Sequence, residues 1–474
     1  MMRKNKNLNK GMIIVQTMVF AAIVVILIGA LSSFAATTIK AGRVNYNREQ
    51  AFQAAEAGID YYRWHLAHAP TDYQDGTGTP GPYVHLLKDK NGDTVGQFSL
   101  DITAPPIGST IVLIKSTGSA QLDPTYLRKI SSSVAKPSIA EYAVAGNNAM
   151  RFGVGTEIFG PIHVNGGIRF DGLAHNLVTS GATTYTDNDG DACTTTNSYG
   201  VHTCLSPADP TSPTALPSRP DVFEAGRLIS QPTIDFSGFT TDVAILKSNA
   251  ISDGFYRDVA GTGYVGYHIV LKTNDTFDLY KINSWAALGS CSGTSLSWSV
   301  GTQTLQGNYP FPANGIIFIE DHIVIDGQIN GARLTITAAD LINPIVNKNI
   351  LINNDVLYTS YDGTDALGLI GQAGVLVGMI SENDLRIDAA LIAQNDRVAR
   401  FYYSGGSCAY KNRSIITLYG MIASYVRYGF AYTDGTGYTT RSITYDANLL
   451  YAPPPYFPLT SAQYQILSWQ EVKN

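Results

Sequence analysis

From Met12 to Ile39 the chain reads MIIVQTMVFAAIVVILIGALSSFAATTI, with no charged residue. As a helix rising about 1.5 Å per residue, this run is about 42 Å long, enough to cross a hydrocarbon core of about 30 Å. The segment therefore predicts a membrane-spanning helix. The preceding MMRKNKNLNKG carries Arg3, Lys4, Lys6 and Lys10 and no acid. Positive charge on that side keeps residues 1–11 cytoplasmic and exports the rest. An uncleaved signal anchor fits this pattern. A cleaved secretory signal is the alternative, because Ser33-Phe34-Ala35 offers a small-x-small site, although the apolar run is long for one.

The helical pattern continues past the membrane. AGRVNYNREQAFQAAEAGIDYYRWHLAHAP is rich in Ala, Gln and Glu and has no Pro before Pro70. Ala51, Ala54, Ala55, Gly58, Tyr62 and Leu66 recur at three- and four-residue spacings, one apolar face for packing. Glu49, Glu56 and Arg63 form a polar stripe. One helix from about Met12 to Leu66, about 80 Å long, is predicted, half in lipid and half against a folded head. Pro70 and the run Asp75 to Pro82 end it.

A basic leader ending in Gly11, an uncharged helix, and an amphipathic extension carrying AFQAAEAG (Ala51 to Gly58) together resemble the type IV pilin superfamily. The AFQAAEAG motif is similar to that of PilX-type minor pilins and of the K-type pseudopilin of type II secretion. The resemblance covers roughly residues 3–66. It implies that prepilin peptidase cuts after Gly11 and that Met12 becomes the N-methylated first residue. It also implies that the subunit assembles with other pilins through this helix, with Gln16 and Glu56 as assembly residues. Most pilins carry Glu at the fifth mature position, where this chain has Gln16. In the family that acid pairs with a neighbour's terminal amine inside the lipid, where an unpaired carboxylate is costly. Gln16 can hydrogen-bond but cannot neutralise an amine, which points to a minor, tip-located subunit rather than a shaft pilin.

Beyond the helix (12–70, membrane part 12–39) the chain divides by composition. Residues 71–137 hold short alternating runs, with Asn91-Gly92 as a hairpin signal, and predict a small antiparallel sheet packed on the exposed half of the helix. From 138 to 450 a loose repeat appears in EIFGPIHVNGGIRF, HIVIDGQINGARLTI, DLRIDAALIAQNDRVARF and SIITLYGMIASYVRYGF. Short strands with Asn, Gly and Asp at the corners predict a large β-solenoid-like (β-helix) head; a β-sandwich is the alternative. Residues 219–300 read as a lobe with a short helix near Thr241 to Lys247 and a hairpin turning at Thr273-Asn274-Asp275. Residues 451–474, with Pro453-Pro454-Pro455, read as a C-terminal cap whose Tyr451, Tyr456, Phe457 and Trp469 cover the last rung. The class is thus mainly β behind one long helix.

A formal net charge of −6 and only 15% charged residues argue against a nucleic-acid-binding surface. Asp187, Asp189 and Asp191 alternate in a Gly-containing turn and offer three oxygens to Ca²⁺; a solvated acidic turn is the alternative. Cys193 and Cys204 are expected to bridge locally, and Cys291 and Cys408 to form a second pair, in an oxidising compartment. No CxxC is present and the eight His are scattered, which argues against zinc. GSCSG around Cys291 shows no nucleophile elbow. Gly261 to Gly266 matches G-x-G-x-x-G but precedes a strand, so it reads as a turn. His163 reads as a packed strand residue.

Nothing in the sequence assembles an active site. The expectation is a non-enzymatic minor pilin-like subunit of a type IV pilus or related filament, acting at or near its tip in assembly or adhesion. It would be held in the inner membrane by one helix before assembly and be extracellular afterwards. The alternative is a stand-alone membrane-anchored β-solenoid of the envelope. A secreted carbohydrate-active enzyme is a third reading, for which no acid pair can be named.

Overall fold

The computed structural model describes residues 9–189, 193, 195–236, 238–343 and 347–473. The chain divides into two units, one of Met1–Ala104, Val112–Val134 and Ile466–Asn474, the other of Pro105–Ile111 and Ala135–Gln465.

The first unit is built on helix α1, Asn9–His68, an uninterrupted 60 residues. Its apolar stretch from Met12 to Ile39 is exposed throughout, and its first buried residue is Asn47. Farther along, Ala51, Ala54, Ala55, Ile59, Tyr62 and Leu66 are all buried. They pack on an antiparallel sheet of β1 (Tyr83–Lys88), β2 (Thr94–Thr103), β3 (Val112–Ala120) and β4 (Leu127–Ala135). Small residues on both sides let helix and sheet approach closely. A Cβ added at Gly118 of β3 would lie 2.1 Å from the Ala51 carbonyl oxygen, and one at Gly58 would lie 2.3 Å from the Ser116 hydroxyl. The sheet's buried face supplies Phe98, Leu100, Ile114 and Ile130.

A fifth strand, Gln465–Val472, joins β4 from the far end of the sequence. Its Ser468 carbonyl accepts the Ser132 hydroxyl at 2.9 Å, its Glu471 pairs with Arg128, and its Trp469 meets Phe52 of α1 edge-on at 6.0 Å. The expected cap at 451–474 is thereby corrected. Trp469 alternates on a strand and belongs to this sheet, not to a rung of the second unit.

The second unit is made of short parallel strands stacked rung on rung, which decides for the solenoid-like head over a sandwich of antiparallel sheets. Side chains in register form continuous apolar columns. One runs Phe255, Ile317, Ile336, Leu369, Leu391, Ile422, Val144, Ile162, Val178. A second runs Val356, Ile387, Leu418, Ile443, Ile158, Ala174. A third runs Ile269, Ile325, Ile352, Val377 and ends on Arg400. All three line one buried core. Stacking like residues at each rung buries apolar area at about 25 cal/mol per Å².

The order of rungs is not the order of the chain. The first strand of the head, Val144–Gly146, lies between Asn412–Ser424 and Ile162–Val164. From this middle position the chain builds outward to Arg227–Leu228, then crosses to the opposite end and builds back. The crossover covers the outer face of the rungs. Asn165 holds it through the Ile234 carbonyl (2.8 Å) and amide (2.7 Å). Helix α2, Gly238–Asp253, then lays Val243, Leu246 and Ala250 over Ile316, Phe318 and Ile370. This helix is longer than the one expected at 241–247.

The lobe expected at 219–300 contains α2 and a projecting antiparallel ribbon of Gly266–Lys272, Thr276–Trp285 and Val300–Pro310, which extends beyond its predicted edge. The ribbon turns at 273–275 with Asp275 at φ 60°. The Pro-rich tail lies on the flank of the middle rungs rather than over an end. Phe457 is buried there, and the Arg333 guanidinium donates to the carbonyls of Ala452 and Pro453. Proline lacks an N–H but keeps a carbonyl, so the segment accepts hydrogen bonds without continuing a ladder.

Candidate functional site

The first candidate is the free half of α1. Gly11 and Met12 lie in its first turn, and Met12 and Gln16 are exposed. Every large apolar side chain from Met12 to Ile39 is at least 46% exposed. Such a surface is stable only in lipid or against other apolar helices. Glu56, half-buried, lies beside Ala55, whose backbone approaches Gly118. The motif AFQAAEAG therefore does a packing job in this chain: four of its residues, Ala51, Ala54, Ala55 and Gly58, are buried in the helix–sheet contact.

The second candidate is a groove of about 650 Å³ in the head, lined among others by Arg151, Asp189, Arg427, Tyr432 and Arg441. Asp189 accepts both terminal nitrogens of Arg427, the second at 2.7 Å, and Arg151 at 3.2 Å. Burial works against its charge, but the Arg427 hydrogen bonds and the nearby guanidinium charges outweigh it and hold the carboxyl below its usual range. Arg441 is buried and satisfied by the Thr156 hydroxyl (3.0 Å) and the carbonyls of Tyr438, Thr439, Gly153 and Val154. Burial lowers its pKa. Among the described residues, the lining's carboxylate is Asp189, set among the guanidinium groups of Arg151, Arg397, Arg427 and Arg441.

Asp187 is buried a step deeper. Its Oδ1 accepts the Asp189 amide at 3.1 Å, and its Oδ2 lies 3.4 Å from both Arg169 Nη1 and His202 Nε2. Of the expected oxygen ligands, Asp189 is held on both oxygens by guanidinium groups and Asp187 has Arg169 at 3.4 Å; Asp191 lies outside the described residues. Cys193 is bonded to Cys204, and Cys291 to Cys408. The second bridge is packed with Met379 and Tyr403. His163 is buried, hydrogen-bonded to the Thr179 hydroxyl at 2.9 Å, and its pKa is lowered by burial.

Sequence reasoning missed the arginine groove. Its parts come from Met150–Phe152, the loop after Thr184–Tyr185, and the RYGFAY stretch from Arg427, which are neighbours only because the first strands of the head stack on the last.

Comparison with protein-family models and with curated proteins finds no match. Among solved structures, the crystal structure of the competence-associated pilin ComZ from Thermus thermophilus is similar at a TM-score of 0.31 and 14% identity, over 90% of this chain and 98% of that one. A likeness at this level places no constraint on function.

Proposed function

We propose that the chain is a non-enzymatic, pilin-like minor subunit that anchors in the inner membrane and assembles with other pilins through α1. The observation that carries this reading is the division of one unbroken helix. Its first half is apolar and wholly exposed, while its second half is clamped to an antiparallel sheet by Ala and Gly contacts. The leader ending in Gly11 and the AFQAAEAG motif support the same reading. Gln16 in place of the usual acid favours a position at or near a filament tip, where no subunit ahead presents an amine to neutralise. The head, with its arginine-lined groove, would then be displayed outside the cell for adhesion or assembly.

The test is intact mass and N-terminal sequencing of the protein from membranes with and without prepilin peptidase. A mature chain beginning at N-methylated Met12 only with the peptidase is the expected result. A chain still carrying its leader in both would overturn the pilin reading in favour of a membrane-anchored solenoid. A start at Ala36 would mean ordinary secretion.

A further inference from the structure

Asp187, His202 and Cys204 place a carboxylate oxygen, an imidazole nitrogen and a sulfur within 4.8 Å of one another. The Cys193 sulfur is bonded to that of Cys204, so a fourth donor is at hand. His202 is 3% exposed, yet neither ring nitrogen makes a hydrogen bond. The Asp187 carboxylate lies 3.4 Å from Nε2, and a buried imidazole that makes no hydrogen bond pays the desolvation cost of its nitrogens without return, so such a group calls for an occupant. We propose that Asp187, Cys193, His202 and Cys204 form a zinc site, open to metal when the two cysteines are thiols and closed when they are a disulfide.

The donor set fits zinc on three counts. Two thiolates, one imidazole and one carboxylate are ligands of a borderline-soft, tetrahedral ion, and oxygen-seeking Ca²⁺ would reject the sulfurs. Tetrahedral Zn–S bonds of about 2.3 Å set the two sulfurs about 3.7 Å apart, which side-chain rotation can reach from a Cα separation of 5.9 Å. The charge also balances. Zn²⁺ replaces two thiol protons, so the pocket, with Asp171, Asp187 and Arg169, keeps the net charge it has as a disulfide. The absence of CxxC hides this site in the sequence, because the ligands spread over a loop that the rungs fold back on itself.

Loading releases two protons as the thiols become zinc-bound thiolates. Closing consumes a small-molecule disulfide and two protons; it yields the Cys193–Cys204 bond, two small thiols and free Zn²⁺. Metal and oxidant therefore compete for the same sulfurs in a newly exported chain.

The test uses the full chain in detergent micelles, reduced under inert gas by a water-soluble phosphine, which takes the oxygen of one water to become its oxide while the disulfide takes that water's two protons. Co²⁺ is then added as a spectroscopic stand-in, followed by Zn²⁺ against a chromophoric chelator. The expected result is one metal per chain, with thiolate-to-cobalt bands in the near ultraviolet and tetrahedral d–d bands that Zn²⁺ erases. Cys291→Ser/Cys408→Ser should keep these signals. His202→Gln should weaken Zn²⁺ binding by at least about tenfold. The oxidised chain should bind none. Thiolate bands missing from the reduced wild-type chain, which depends on no variant, would overturn the proposal. So would signals lost only on changing Cys291 and Cys408.

Discussion

Ile422 lies in parallel register beside Val144, although the two are separated by most of the head's sequence. They join two runs of rungs, one built outward from Val144 and the other built back toward Ile422, into one apolar column. The two runs meet twice, Asn412–Ser424 on Val144–Gly146 and Gly437–Tyr445 on Thr156–Phe159. Ile422→Ala should cost about 2–5 kcal/mol, seen as a lower urea midpoint at unchanged slope. Hydrogen exchange should rise at Val144–Gly146 and at Ile162–Val164 together, because Val144 stands between Ile422 and Ile162 in the column. Protection that stays unchanged at 144–146 would show that the early rungs are held independently.

Gly118 tests the helix clamp. A Cβ there meets the Ala51 carbonyl oxygen at 2.1 Å and the Ala55 nitrogen at 2.3 Å, and helix backbone cannot step aside as a side chain can. Gly118→Ala should destabilise the first unit by at least the about 1–3 kcal/mol of an overpacked core. It should also open α1 to protease after Arg48. Gly42→Ala is the control. Nothing lies within 4 Å of its added Cβ, and Ala favours a helix over Gly by about 1 kcal/mol. It should leave cleavage unchanged or slow it.

These two sites also mark what the sequence could tell. The apolar face Ala51 to Leu66 was legible because helix periodicity is local, and every residue assigned to it is buried. The hairpin at Gly92 and the turn at Asp275 were legible because positive φ favours Asn, Asp and Gly. Strand pairing is not local. Nothing in SIITLYGMIAS names Val144 as the partner of Ile422, and nothing in QILSWQEV distinguishes a fifth strand for a distant sheet from a terminal amphipathic element. Asp187 and Asp189 show the same limit. Their spacing advertises oxygen ligands, while the arginines that claim Asp189 come from 38 and 238 residues away.

His175 carries a pH prediction. Its Nε2 is 2.7 Å from Glu157, its Nδ1 is 2.7 Å from Glu224, and its ring stacks on Phe159 at 4.1 Å. Burial, the largest single influence, opposes the charged ring, but hydrogen bonds and charges from the two acids together raise its pKa above the ordinary value of about 6.5. A raised folded pKa means that the stabilisation is complete below about pH 6.5 and is lost as pH rises through the folded value. Nuclear magnetic resonance titration of the ring should show that raised midpoint, and Glu157→Gln/Glu224→Gln should return it to about 6.5 or below. An unshifted midpoint in the wild-type chain would mean that the acids do not engage the ring in solution.

The two disulfides should differ in what they contribute. Cys291–Cys408 closes a separation of 117 residues and Cys193–Cys204 one of 11. Loop-closure entropy assigns them about 5 and about 3 kcal/mol, so replacing the long-range pair with Ala should cost about 2 kcal/mol more. Packing adds to the gap, because Cys291 and Cys408 are buried with Met379 and Tyr403. Denaturant unfolding of the two double variants measures it directly. Equal losses would mean that the unfolded chain already holds residues 291 and 408 near each other, for instance through residual stacking of the intervening rungs, which the parallel order from Ile316 to Arg400 makes a local and early event.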